Sequence, residues 1–185
     1  MTVSPATVQR SAPTLETERL VLRAFRRDDL DAHAATLGDA EVMRHLGGQG
    51  TSREDAWRKL MMAVGQWPLL GFGYWAVESR HDGRLVGQAG LCDFERGLDP
   101  DISGYPELGY IFDRSVHGQG IAGEACRAIL DWARDSLPPS PIWAIISPEN
   151  QPSLNLAGRL GFERVCDSTY HDEPITILKR PATPL

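Results

Sequence analysis

Cysteine is scarce in this 185-residue chain: Cys92, Cys126 and Cys166 stand far apart and form no C-x-x-C pair, which excludes a disulfide framework and a zinc knuckle and reads as buried, reduced thiols. The histidines include no pair four residues apart with a Glu between, so a zinc-peptidase helix is excluded and no metal site is expected. Net positive charge is missing too. The 25 acidic residues outnumber the 19 Lys and Arg to leave −6, which argues against nucleic acid or an anionic membrane surface as partner. Long apolar runs are absent: the longest uncharged apolar stretch, Trp67 to Val77, is broken by Pro68, Gly71 and Gly73 and falls short of a bilayer span. Residues 1–14 carry no apolar signal-peptide core, so they read as a flexible tail, and the expected location is cytoplasmic.

What remains, 42% hydrophobic and 24% charged residues without repeats or low-complexity segments, suits one globular domain over residues 15–181. Arg19 to Phe25 reads as a strand, and Asp28 offers the N-cap of a helix holding Leu30 and Leu37. Thr51 and Glu54 have capping-box spacing ahead of a second helix, with Trp57, Leu60, Met61 and Val64 as its core stripe and Pro68 as its stop. Gly73 to Ser79 and Leu85 to Cys92 flank an Asp82-Gly83 turn and predict a hairpin. A Gly-, Pro- and Asp-rich loop over 93–106 then leads into the strand Glu107 to Phe112.

The segment His117-Gly118-Gln119-Gly120-Ile121-Ala122-Gly123 follows that strand and opens a helix with Ile121, Ala125, Ala128, Ile129 and Trp132 on its apolar face. A Gly-rich turn feeding a helix offers unpaired N–H groups and the positive end of the helix dipole, which suits a phosphate group. It is neither a P-loop nor a dinucleotide fingerprint, since no G-K-[ST] follows and no acidic strand end comes after it. By itself the turn reads equally as tight helix–sheet packing. Ile142 to Ile146 is apolar throughout, the mark of a strand covered on both faces, and the strand–helix–strand order makes it parallel to Glu107–Phe112. A last helix opens at Pro148–Ser153 and ends at Gly161, with Phe162 packed behind it, and two strands near Glu163–Tyr170 and Ile175–Lys179 close an α+β (mixed α/β) fold.

Taken together, Glu107-Leu-Gly-Tyr, the His117–Ala125 segment, Asn150-Gln-Pro-Ser153 and Leu160-Gly-Phe162 resemble the GNAT N-acetyltransferase superfamily, and the opening Leu15–Arg23 and closing Leu178–Pro181 are similar to its branch acting on ribosomal-protein N-termini. The resemblance implies a mixed, mostly antiparallel sheet flanked by helices, with one splayed parallel strand pair. It implies acetyl-coenzyme A as co-substrate: Gly118 to Gly123, with His117, Gln119, Gly120, Ile121 and Ala122, would grip its diphosphate, and Asn150 and Ser153 would line its pantetheine arm. A main-chain N–H near Ile111 or Phe112 would hold the thioester carbonyl. The acceptor would be a primary amine, on a small molecule or a protein N-terminus, attacking directly in a ternary complex of a monomer or homodimer.

Two catalytic roles follow from the resemblance, each beside a structural alternative. Glu107 is the candidate base, or else a strand-end carboxylate that orders the neighbouring loop. Ser153 is the nearest hydroxyl for the leaving thiolate, or else a helix cap. Many relatives carry a Tyr five residues before the Phe of the Gly-Phe pair to supply that proton; here Ala157 stands there. That departure keeps open a coenzyme-A-sensing module without turnover, and another short acyl donor remains a third reading. Tyr74, Trp57, Trp67, Trp75, Tyr170 and His171 are candidates for the acceptor side, with core packing or exposure as their alternatives, and the acidic residues of the 93–106 loop would attract a cationic amine.

Overall fold

In this computed structural model, which describes residues 10–182, local signals and long-range pairing agree along most of the chain. The strands are β1 (Leu15–Glu16), β2 (Leu20–Arg23), β3 (Tyr74–Ser79), β4 (Leu85–Cys92), β5 (Glu107–Phe112), β6 (Ile142–Ile146), β7 (Glu163–Tyr170) and β8 (Glu173–Arg180). They form one sheet in the order β1-β2-β3-β4-β5-β6-β8-β7, antiparallel throughout except for β5 and β6. The helices are α1 (Leu30–Gly38), α2 (Ala40–Met43), α3 (Arg53–Leu70), α4 (Ile121–Ser136) and α5 (Gln151–Arg159). This is the expected mixed architecture.

Side chains alternate across the strands, so each face of the sheet has its own cover. Trp75, Val77, Ala89, Leu91, Leu108 and Phe112 pack with Ile121, Ala125 and Ile129 of α4 and Leu156 and Ala157 of α5. On the opposite face Ala76 meets Phe25 together with Leu60 and Ala63 of α3. The loop over 93–106 covers the far end of that face through Leu98 and Ile102, which pack on Trp143, Ile175 and Ile177. The last turn of α3 reaches round the sheet, where Trp67, Trp75 and Trp132 meet edge to face at centroid distances of 4.6, 5.1 and 5.5 Å.

Several local expectations shift. The first helix is not capped by Asp28; Asp29 stands at its start, and the Asp29 carboxylate instead receives two bonds of 2.8 Å from the buried Arg23 and one of 2.7 Å from the Arg26 N–H. In α3 the cap is Ser52, whose hydroxyl accepts the Asp55 N–H, rather than Thr51 with Glu54. The α3 stripe is Ala56, Leu60, Ala63 and Trp67, while Met61 and Val64 are each 47% exposed and Trp57 is half-buried, because the core-facing arc lies one residue round from the expected one. Pro68 does not stop α3. It falls in the last turn, where its missing N–H removes one bond, and the helix ends at Gly71 with φ +79°. Cys166 is half-buried, unlike Cys92 and Cys126. Of the tail, residues 1–9 lie outside the described residues, whereas Ala12 is buried and the Pro13 carbonyl accepts the Trp75 indole N–H at 2.7 Å. Among the described residues no helix is long and apolar enough to cross a membrane, and no cluster of His, Cys, Asp or Glu could hold a metal ion.

Candidate functional site

The parallel strands β5 and β6 are in register at one position, Glu107 opposite Trp143, where the Trp143 N–H reaches the Pro106 carbonyl at 2.9 Å. Beyond it the pair diverges. The Asp113 N–H bonds to the Val86 carbonyl on the β4 side, so ladder alternation turns the N–H groups of Gly109 and Ile111 toward β4 and those of Tyr110 and Phe112 toward the opening. Of the two expected carbonyl-holding amides, Phe112 therefore faces the wedge and Ile111 does not. The Phe112 carbonyl, which points the same way, is met at 2.9 Å by His117 Nε2, so His117 closes the end of β5.

The Gly-rich loop lies directly above this wedge. Gly118 and Gly120 have φ of +73° and +77°, values at which a Cβ is strained, and α4 begins immediately after them. The N–H groups of Gly118, Gln119, Gly120, Ile121, Ala122 and Gly123 have no acceptor among the described residues, as a helix start requires of its first donors. A Cβ on Gly123 would stand 3.3 Å from Arg127 Nη1 and 3.4 Å from Leu156 Cδ1, so that glycine also permits α4 to approach α5. The Gln119 side-chain amide donates to the Ser115 carbonyl at 2.7 Å, so the side chain is held against the preceding turn.

On the other flank of the wedge, α5 starts at Asn150, whose side chain accepts the Ser153 N–H at 3.2 Å. Asn150 is thus the cap, and Ser153 is not. The Tyr110 hydroxyl is buried beside Ser153 with no protein partner in hydrogen-bonding geometry, and burial pushes it up to about 12. Ala157, at the position where the resemblance led to an expected Tyr, is sealed in the core. Gly161, at φ +83°, ends α5 as expected: its N–H reaches the Gly158 carbonyl and the Phe162 N–H reaches that of Ala157.

The opposite face of β5 carries Glu107, Gly109 and Ile111. Glu107 is 6% exposed, and both its carboxylate oxygens are bound by Arg96 from the 93–106 loop, Nε at 2.7 Å and Nη2 at 3.0 Å. Burial raises the Glu107 carboxyl above its ordinary value while Arg96 opposes the rise. Arg96 is itself clasped between the Phe94 and Tyr170 rings, 4.5 and 4.6 Å from their centroids, so Tyr170 is a partner of Arg96. Tyr74 lays its ring over the sheet so that a Cβ on Gly109 would collide with its hydroxyl, and burial, then Glu107, raises that phenol. Trp67 and Trp75 are core, and His171 is exposed at the β7–β8 turn with φ +50°.

Residues Thr17 and Arg19 also belong to the site. The Glu124 carboxylate, in the first turn of α4, accepts from the Thr17 hydroxyl at 2.5 Å, the Arg19 N–H at 2.9 Å and Arg19 Nε at 2.7 Å, while Arg19 Nη1 donates 2.8 Å to the Gln119 carbonyl. Only the similarity of Leu15–Arg23 to the opening segment of the resembled branch signalled this in the sequence; no local pattern did.

A splayed parallel pair beneath a glycine-rich helix start defines a class of α/β proteins that hold a nucleotide diphosphate by main-chain donors. The family model described as Acetyltransferase (GNAT) domain matches residues 19–163, and the chain belongs to this family of acetyltransferases. It is 28% identical over 152 residues to the uncharacterised N-acetyltransferase p20 of Bacillus licheniformis, covering 82% of this chain and 83% of that one. It superposes with a TM-score of 0.81 on a GNAT-family acetyltransferase candidate from Bordetella pertussis, at 28% identity over 91% of this chain and 99% of the other. The ribosomal-protein-S5-alanine acetyltransferase of Vibrio fischeri shares the fold, with a TM-score of 0.74 at 17% identity over 92% and 97% of the two chains.

Proposed function

We propose that this acetyltransferase moves the acetyl group of acetyl-coenzyme A to a primary amine, on a small molecule or a protein N-terminus, in a ternary complex in the cytoplasm. The observation that carries the reading is the wedge, where β5 and β6 part after one registered pair beside a run of uncommitted N–H groups. Such a cradle fits a diphosphate, because the donors need no partner from elsewhere in the chain and a glycine Cα lets an oxyanion approach closely. Acetyl-coenzyme A, when bound, supplies an acyl group activated as a thioester. Gly118 to Gly123 hold its diphosphate, Asn150 and Ser153 flank its arm, and the Phe112 N–H is placed to polarise the carbonyl.

Glu107 accepts the amine proton directly or through a water. Its ion pair with Arg96 favours the ionised form of a buried carboxylate, which a base requires, and takes one lone pair on each oxygen, leaving the others to receive the proton. Ser153, beside the buried Tyr110 hydroxyl, donates toward the leaving sulfur. The recurrence of Leu15–Arg23 and Leu178–Pro181 supports the ribosomal-protein N-terminal branch as the source of the acceptor. A second reading, a coenzyme-A sensor with little turnover, is favoured by two observations: the core position of Ala157 and the bidentate hold of Arg96 on the buried Glu107.

Thiol release from acetyl-coenzyme A across a panel of amines and N-terminal peptides, with mass spectrometry of the acceptor, tests the reading. A product heavier by one acetyl group supports transfer. Tight binding without thiol release supports the sensor, and no binding at all contradicts both.

A further inference from the structure

Glu124 poses an electrostatic problem for an anion site. An acidic side chain in the first turn of a helix is drawn to the positive end of the dipole, where it competes with any anionic ligand for the same field. Here the carboxylate is hydrogen-bonded on both oxygens: it is 13% exposed, Oε1 takes the Thr17 hydroxyl and the Arg19 N–H, and Oε2 takes Arg19 Nε. Burial works against its ionised form, and the Thr17 and Arg19 bonds more than offset that, holding the carboxyl below its ordinary value. The clamp is built from a preset turn, since the Thr17 N–H reaches the Leu20 carbonyl at 3.0 Å and the Leu20 N–H returns to the Thr17 hydroxyl at 3.0 Å. Arg80 ties it down from β3's end by donating 2.6 Å to the Thr17 carbonyl. The same guanidinium that neutralises Glu124 grips the Gln119 carbonyl, and its Nη2 lies 3.6 Å from where a Gly120 Cβ would stand, so it backs the loop in the middle of the uncommitted N–H groups.

We infer that Thr17 and Arg19 are positioning residues for donor binding: they set the glycine-rich loop through the Gln119 carbonyl and cancel the Glu124 charge, so that α4 presents N–H donors rather than a free carboxylate to the diphosphate. This rests on the acetyl-coenzyme A reading above. A purely structural ion pair and a charge-cancelling clamp differ in one respect. If the pair only braces the fold, removing both partners recovers the melting temperature lost with Arg19 but not coenzyme A affinity; if it cancels charge at the donor site, removing the Glu124 charge also recovers affinity.

The test is calorimetric titration of the full chain with coenzyme A, for wild type, Arg19→Met, Arg19→Lys, Glu124→Gln and the Arg19→Met/Glu124→Gln pair, each checked for its melting temperature. Arg19→Met is expected to weaken binding about tenfold, and no more because Arg19 is 45% exposed. Arg19→Lys should recover part of this, Glu124→Gln should cost less than Arg19→Met, and the double variant should bind better than Arg19→Met alone. In turnover, Arg19→Met should lose far more with acetyl-coenzyme A than with S-acetylpantetheine, which has no diphosphate. If wild type binds coenzyme A but Arg19→Met binds it equally, or the double variant is no better than the single, the clamp is overturned while the donor reading stands. If wild type fails to bind coenzyme A, the donor reading fails and the clamp falls with it.

Discussion

The two faces of β5 are built by different means. Toward α4 and α5, the site consists of main-chain donors from a short contiguous stretch, Tyr110 to Gly123, shaped by two positive-φ glycines and completed by one capping asparagine. Toward α1–α3 and the 93–106 loop, it consists of side chains that meet only after folding: Arg96 on Glu107, the Tyr74 hydroxyl over Gly109, and Ile111 against Leu37, Met43 and Ala56. A backbone cradle reads only the shape and charge of a diphosphate, which suits a donor common to a whole family. A face made of distant side chains can change with each substitution in a loop, which suits an acceptor that differs from member to member.

Breaking the backbone side should have the largest effect. Gly120→Val forces a β-branched residue to φ +77° in the middle of the cradle. Acetyl-coenzyme A at about 100 times its dissociation constant should stabilise the wild type by about 2.7 kcal/mol in denaturant melts and leave this variant unshifted, with its unliganded fold retained. Glu107→Gln breaks the other side and should do the reverse, lowering kcat about 100-fold while coenzyme A binding by calorimetry stays as in wild type.

Arg96→Met sharpens the contrast by pH. Arg96 opposes the burial that raises Glu107, so its loss lets the carboxyl rise further and moves the acid limb of the kcat profile to higher pH; an unmoved limb would leave Glu107 only its loop-holding role. Acid should also loosen the α1 side. Burial pushes His33 down to about 4 from its ordinary 6.5, with Asp29 opposing and Lys59 adding. The unfolded chain therefore takes up this proton first, and stability present above pH 6.5 is lost as pH falls toward 4, by about 3 kcal/mol at most. His33→Gln should flatten that part of a melting-temperature series. The smallest effects are local to α5: Ser153→Ala should slow turnover and weaken donor binding by no more than a few-fold each, and Asn150→Ala should cost about 1 kcal/mol of stability through the lost cap.

The same division decides what could be read in the sequence. The hairpin, the glycine turn and the Gly161 stop were legible because each depends on residues within a few positions of one another, and the parallel strand pair because the strand–helix–strand order fixes its direction. In the 93–106 loop, Asp93 and Asp101 accept the main-chain N–H groups of Glu95, Gly104 and Ser103 and shape the loop, and its Arg96, which the sequence did not single out, reaches Glu107. No spacing rule pairs Arg96 with Glu107, or Thr17 and Arg19 with Glu124, since only the sheet order brings β2 beside the start of α4 and the loop beside β5. Within α3 the error was a matter of phase: Leu60 fits both stripes, and the neighbours that decide between them, Phe25 and Ala76, come from other strands or loops.

Amide resonances of ¹⁵N-labelled protein titrated with coenzyme A test the central claim most directly. The backbone N–H signals of Gly118, Gln119, Gly120, Ile121, Ala122 and Gly123 should move together and furthest, as free donors gain an acceptor. Saturable binding that leaves those signals in place and moves others would contradict the account.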